Sequence, residues 1–107
     1  MKRGEVHWVE FSDVGTSSEV QKTRPAIVIT VDTAIARLPR VQVVPLTTKT
    51  GRLYPGDVLV TVRGRLNKAM GSQVMTVDKA RLLGYWDTLP AADLESVEKT
   101  LRGHLGL

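Results

Sequence analysis

Arg24 stands directly before Pro25 in the stretch QKTRPAIVIT, where a polar segment gives way to an apolar, β-branched run. A guanidinium presents a planar fork of donors that fits two phosphate oxygens at once. It stays charged at any physiological pH, so it suits stabilising negative charge that develops in a transition state and makes a poor general base. Thr47 closes a second apolar run, VQVVPLT, where a hydroxyl has no packing purpose. Its Oγ1 can donate to a phosphoryl oxygen, or it can bond to nearby backbone. A surface charge and a strand-end hydroxyl are the plain alternatives for these two residues. Two histidines offer acid–base chemistry. His7 falls mid-strand, where packing is the expected role, and His104 falls in the last turn of a helix, where it faces the helix dipole. Glu19, in a polar loop, is a further candidate base. No His, Asp and Glu group has ligand spacing, and there is no phosphate-cradling glycine loop and no nucleophile elbow. Neither a metal nor a cofactor is expected.

For Arg24 and Thr47 to act together, the start of one strand must lie beside the end of another, which a bent antiparallel sheet allows. The hydrophobic pattern supplies such elements. Glu5 to Phe11 reads as a strand, Ser12 to Lys22 as a mobile polar loop, and Pro25 to Val31 as a buried strand. Asp32 to Leu38 suggests a short helical turn. Val41 to Thr47 is a strand that Pro45 makes an edge or bends, since proline donates no ladder hydrogen bond. Thr48 to Gly56 is a loop. Asp57 to Val62 alternates, with Val58, Val60 and Val62 on one face and Leu59 on the other. Arg63 to Gly71 reads as a basic loop, Ser72 to Val77 as a short strand, Asp78 to Leu82 as one helical turn, and Leu83 to Thr88 as a sixth strand. Leu94, Val97, Leu101 and Leu105 then recur at steps of three and four, which places them on one face of a C-terminal helix. Asp93, Glu95 and Glu98 lie early in it and Lys99, Arg102 and His104 late, as the helix dipole prefers. The expected fold is mainly β, a small bent antiparallel sheet or half-open barrel with a helix packed against it.

The 107 residues form one expected domain, residues 1–107, with an ordinary globular composition of 42% hydrophobic and 24% charged residues. The chain has no cysteine, which excludes disulfides, thiol nucleophiles and thiolate metal sites and fits a cytoplasmic location. No apolar run is long enough for a membrane span, and MKRGEVHWVEF is not a signal peptide. The net charge of +4 leans toward polyanionic partners. Lys22, Lys49, Arg52, Arg63, Arg65 and Lys68 fall in three loops able to line one groove, and Tyr54 or Trp86 could stack a base.

The strings KRGEVHWVEF, KTRPAIVIT, VVPLTTKT and VDKARL, in this order, resemble the MazF/PemK (Kid) family of type II toxin endoribonucleases. The match runs from Lys2 to the closing HLGL. It implies a small SH3-like barrel, shared with the gyrase poison CcdB. It also implies a homodimer that cuts single-stranded RNA without metal and is neutralised by a cognate antitoxin. The family's arginine of the R-P pair and threonine of the P-L-T motif fall here on Arg24 and Thr47. On this reading the 2′-hydroxyl attacks the neighbouring phosphorus while Arg24 and Thr47 stabilise the phosphorane. Lys22, Thr23, Thr48, Lys49, Arg52, Ser72 and Gln73 bind RNA, and Glu19 is the candidate base. The Ser12 to Lys22 loop gates the site, and the antitoxin lays an extended acidic and apolar segment along the groove. Three positions depart from the family pattern. His7-Trp8 replaces a common Trp-Trp pair, and in SQVMT Ser72 and Met75 stand where relatives carry a carboxylate and an arginine. Two rival readings follow: a gyrase-binding poison on the same barrel, and a catalytically impaired RNA-binding relative.

Overall fold

The computed structural model describes residues 1–11 and 23–107. The loop expected to gate the site, with Glu19 and Lys22, lies outside the described residues. The first strand, β1 (Glu5–Glu10), pairs antiparallel with β2 (Thr23–Val28), which pairs with β3 (Arg40–Thr47) after the short helix α1 (Asp32–Arg37). Strands β4 (Asp57–Val62) and β5 (Arg65–Met70) form a hairpin, followed by β6 (Met75–Asp78), β7 (Leu82–Thr88) and the C-terminal helix α2 (Ala91–Leu105). The strand order is β4-β5-β3-β2-β1-β7, with β6 paired to β3 off this path.

The sheet curls because β3 changes partner along its length. Its first half, Arg40–Val43, pairs with β6, and its end, Leu46 and Thr47, pairs with β5. Pro45, which has no N–H to give a second neighbour, falls between the two pairings and faces Ala26 of β2 on its other side. The proline thus marks a bend within a strand that is central in the sheet.

Strand alternation divides the buried residues into two layers. Val6, Ile27, Val44, Leu46, Val60, Val62 and Ala69 pack under α2 through Val97 and Leu101. Val9, Phe11, Ala26, Val28, Val41, Val43 and Val77 pack on the other face with Ile35 of α1. The expected helical face is buried at Val97 and Leu101 but ends before Leu105, which is exposed. Asp93 docks the helix by accepting a hydrogen bond from the Thr61 N–H at 2.8 Å, and Glu98 pairs with Arg3 at 2.6 Å. No helix among the described residues is long and apolar enough to cross a membrane.

Two expectations fail here for one reason. Arg63 to Gly71 is not a loop but mostly the strand β5. Arg63 and Gly64 both take positive φ, 53° and 75°, the backbone of a tight two-residue hairpin turn. The strand begins at once after it, giving seven strands among the described residues where six were expected. Its charges hid it, because β5 hands only Asn67, Ala69 and Met70 to the interior. The next segment then starts later than expected: Gly71–Gln73 is a 3₁₀ turn, and only Met75–Asp78 is strand.

The hairpin tip is tied to the far edge of the sheet by Asp87, whose Oδ2 accepts from the Arg63 N–H at 2.8 Å. That bond, with one from Thr88, holds the Asp87 carboxyl below its ordinary value of 3.8. A depressed folded value gives stability that is present above pH 3.8 and lost as pH falls through the folded value. Asp87→Asn is expected to lower stability by about 1 kcal/mol at pH 7, and the gap to wild type should close below pH 4, measured by urea denaturation across pH. Ile27→Ala, in the fully buried layer under α2, should cost about 2–5 kcal/mol with little change in the denaturant slope.

Candidate functional site

A groove of about 940 Å³ opens where the start of β2, the end of β3 and the side of β5 meet. The pairing of β2 with β3 runs Val28 to Val43, Ile27 to Val44 and Ala26 to Pro45. The pairing ends there, and Arg24 and Thr47 each lie two residues beyond it, at the start of β2 and the end of β3. Both line the groove, as do Thr23, Thr48, Lys49, Ser72 and Gln73. Neighbouring strands thus bring the two residues to one groove.

Arg24 is half-buried, and that burial lowers its pKa from the ordinary arginine value, because a less hydrated guanidinium holds its proton less tightly. Thr47 Oγ1 accepts from the Lys49 N–H at 3.2 Å. This backbone bond uses the oxygen as an acceptor and leaves the hydroxyl hydrogen to donate into the groove. Ser72 and Gln73 reach the groove because the 3₁₀ turn is pressed against the loop before β4. Gly71 donates its N–H to the Gly56 carbonyl at 2.9 Å, and a Cβ on Gly71 would stand 2.5 Å from that same oxygen, so only glycine allows the approach.

The basic residues do not form one uniform lining. Lys49, Arg65 and Lys68 line the groove. The Lys68 side chain, however, is only 12% exposed and is turned inward, its ammonium donating to the Arg52 carbonyl at 3.0 Å and lying 3.5 Å from the Asp57 carboxylate. Asp57, whose side chain is 4% exposed, also accepts from the Tyr54 N–H at 2.8 Å. Together they clip the loop of residues 48–56 to the β4–β5 hairpin. Arg52 does not line the groove; its guanidinium lies 5.0 Å from the Tyr54 ring centroid, and Tyr54 forms the rim. Arg63 is occupied at the hairpin tip, where it bonds the Trp86 carbonyl. The charge cluster read from sequence is thus a mixture of groove cations and structural clips.

Neither histidine lines the groove. His7 Nε2 lies 2.9 Å from Glu5 Oε1, and its ring meets Tyr85 edge-on, as a packed strand residue. Asp57 is the one carboxylate among the described residues that line the groove, and its contacts with Tyr54 and Lys68 commit it to structure. Met75 packs against the second buried layer, away from the groove. Among the described residues no group of three or more His, Cys, Asp or Glu could hold a metal ion. Sequence reasoning missed Trp8, Asn67 and Met70 as lining residues; Trp8 contacts Trp86 at 4.9 Å between ring centroids. Asn67 is placed opposite Val60 only once β5 is recognised as a strand.

Asp57→Ala should leave the largely enclosed Lys68 charge without its counterion and free the Tyr54 rim. Loss of about 1–3 kcal/mol of stability is expected by urea denaturation.

A family model described as PemK-like, MazF-like toxin of type II toxin-antitoxin system matches residues 2–105. The chain is 34% identical over 116 residues to Endoribonuclease MazF9 of Mycobacterium tuberculosis (strain ATCC 25618 / H37Rv), covering 100% of this chain and 98% of that protein. Among solved structures, MazF of Deinococcus radiodurans superposes with a TM-score of 0.85 at 22% identity, covering 100% of this chain and 97% of that one. An endoribonuclease in complex with its cognate antitoxin, from a mycobacterial species, superposes with a TM-score of 0.81 at 22% identity, covering 100% and 96%. The curled sheet with its C-terminal helix is the fold these chains share.

Proposed function

The chain belongs to the PemK-like, MazF-like toxin family of type II toxin–antitoxin systems, and on that premise we propose that it is an endoribonuclease toxin cleaving single-stranded RNA. The observation that carries this reading is that Arg24 and Thr47, from neighbouring strands, line one groove. The RNA supplies its own nucleophile. Its 2′-oxygen bonds to the adjacent phosphorus, the bond from phosphorus to the 5′-oxygen breaks, the 2′-proton leaves to a base, and the 5′-oxygen gains a proton. The products are a 2′,3′-cyclic phosphate and a 5′-hydroxyl. Arg24 holds the charge that grows on the phosphorane oxygens, and its lowered pKa favours proton donation to the leaving oxygen. Thr47 donates its hydroxyl hydrogen to the same group. Thr23, Thr48, Lys49, Ser72 and Gln73 contact the strand on either side, and Arg52 acts through Tyr54. Glu19 and Lys22 remain the proposed base and a further RNA contact.

The relative's name as an endoribonuclease and the arrangement of Arg24 and Thr47 favour this reading over a gyrase-binding poison. The same groove, cationic and walled by Trp8, Pro25 and Trp86, suits an extended acidic and apolar antitoxin segment. A homodimer is proposed with it, supported by Leu83 and Tyr85, which stand exposed on the edge strand β7.

Long mixed-sequence single-stranded RNA incubated with the protein in EDTA should show discrete cuts. Arg24→Ala should slow them by about 10²–10³-fold at unchanged melting temperature. Arg24→Lys should fall between, since an ammonium keeps the charge and loses the fork. Cutting by Arg24→Ala at the wild-type rate would overturn the assignment, and no cutting by wild type would favour an impaired RNA-binding relative.

A further inference from the structure

The groove has a second wall that the cleavage chemistry does not use. Along β5, Lys68 shares a face with Thr47 across the β3 pairing, whereas Asn67 points to the opposite face, across from Val60 of β4. Asn67 is 1% exposed, lines the groove, and stands in a layer of valine, leucine and alanine. Its Nδ2 donates to the Arg65 carbonyl at 3.1 Å. A carbonyl oxygen only accepts, so this bond fixes the amide nitrogen on that side and turns Oδ1 the other way. Oδ1 is buried and has no hydrogen-bond partner among the described residues. An enclosed acceptor without a donor is a cost to the fold that native proteins rarely leave in place. A leucine or valine would fill the position without that cost.

Both tryptophans of the chain also line the groove. Trp8 and Trp86 are half-buried, in contact with one another, and line the groove. Flat aromatic faces at a wet groove beside a hydrogen-bonding group match what unstacked nucleobases need: a surface to stack on and a polar partner for the base edge. We propose that Asn67 with Trp8 and Trp86 forms a nucleobase subsite, in which an unstacked base of the RNA stacks on the tryptophan pair and donates an exocyclic amino N–H to Asn67 Oδ1. This deepens the ribonuclease reading and rests on it for the identity of the ligand as RNA. Asn67 is then a specificity-determining residue, set apart from Arg24 and Thr47, which act on the phosphate. Because Oδ1 is out of contact with solvent, the base reaches it by displacing groove side chains, and the polar partner it meets is otherwise unmatched. A base that lacks the amino group leaves that acceptor unpaired, which is how such a position discriminates.

The test separates binding from cleavage. A randomised pool of 2′-O-methyl RNA 12-mers, which lack the attacking hydroxyl, is bound to wild type and to Asn67→Leu, and the bound fractions are sequenced. Tryptophan emission is followed in a parallel titration. Wild type is expected to enrich adenine, cytosine or guanine over uracil at one position and to show altered emission on binding. Asn67→Leu is expected to lose that enrichment and bind about ten-fold more weakly, at an equal or higher melting temperature. Asn67→Val, sized for a strand, serves in its place if the leucine variant does not fold. Equal enrichment and affinity in wild type and variant, binding without a change in emission, or no binding of the pool would each overturn the proposal. Enrichment lost in the variant, in a protein that cuts no ordinary RNA, would uphold the base subsite and remove the ribonuclease reading alone.

Discussion

The pairing of β2 with β3 is the constraint on which the rest of the groove depends. Side chains alternate across a strand, so a slip of one residue in this register would move Arg24 to the opposite face from Thr47. The register is held from both sides. Ile27 and Val44 must enter the layer under α2, and Ala26, Val28 and Val43 must enter the layer over α1. Burying these side chains is favourable only in the observed pairing, which makes the position of two polar groups at the groove a consequence of packing in the core.

Pro45 extends the effect. By ending the β6 pairing before the β5 pairing begins, β3 brings the β4–β5 hairpin to the groove instead of continuing a flat sheet. The hairpin then contributes both of its faces. One carries Lys68 and Asp57, which clip the Tyr54 loop in place, and the other carries Asn67, which lines the same groove as the tryptophans. The 3₁₀ turn after it is held against Gly56 through the glycine at position 71, which delivers Ser72 and Gln73. A fold of this size thereby surrounds a single groove with residues from most of its strands.

Much of this was legible in the sequence. The buried runs around Ile27 and Val44, the alternation of Val58, Val60 and Val62, and the helical spacing of Val97 and Leu101 each gave the right element, because burial on one face writes a period into the chain. Motif and chemistry singled out Arg24 and Thr47, and both line the groove. β5 was not, since RGRLNKAM offers charges where a strand usually offers β-branched residues, and its turn rests on a positive φ at Arg63, a residue type that does not announce one. The role of Lys68 was hidden for a different reason. Whether a lysine meets solvent or turns inward to Asp57 depends on a partner 11 residues away in sequence and adjacent only through hairpin pairing. Asn67 read as loop polarity until the strand placed it in the apolar layer.

The central claim is that Arg24 and Thr47, which line one groove, act on one phosphate. A double-mutant cycle on RNA cleavage tests it: kcat/KM for wild type, Arg24→Ala, Thr47→Ala and the double variant, on a single-site oligonucleotide. Two groups that stabilise the same phosphorane should couple by at least about 1 kcal/mol, so that the double variant is less impaired than the sum of the single losses. Strict additivity would contradict the account and place the two residues at separate tasks.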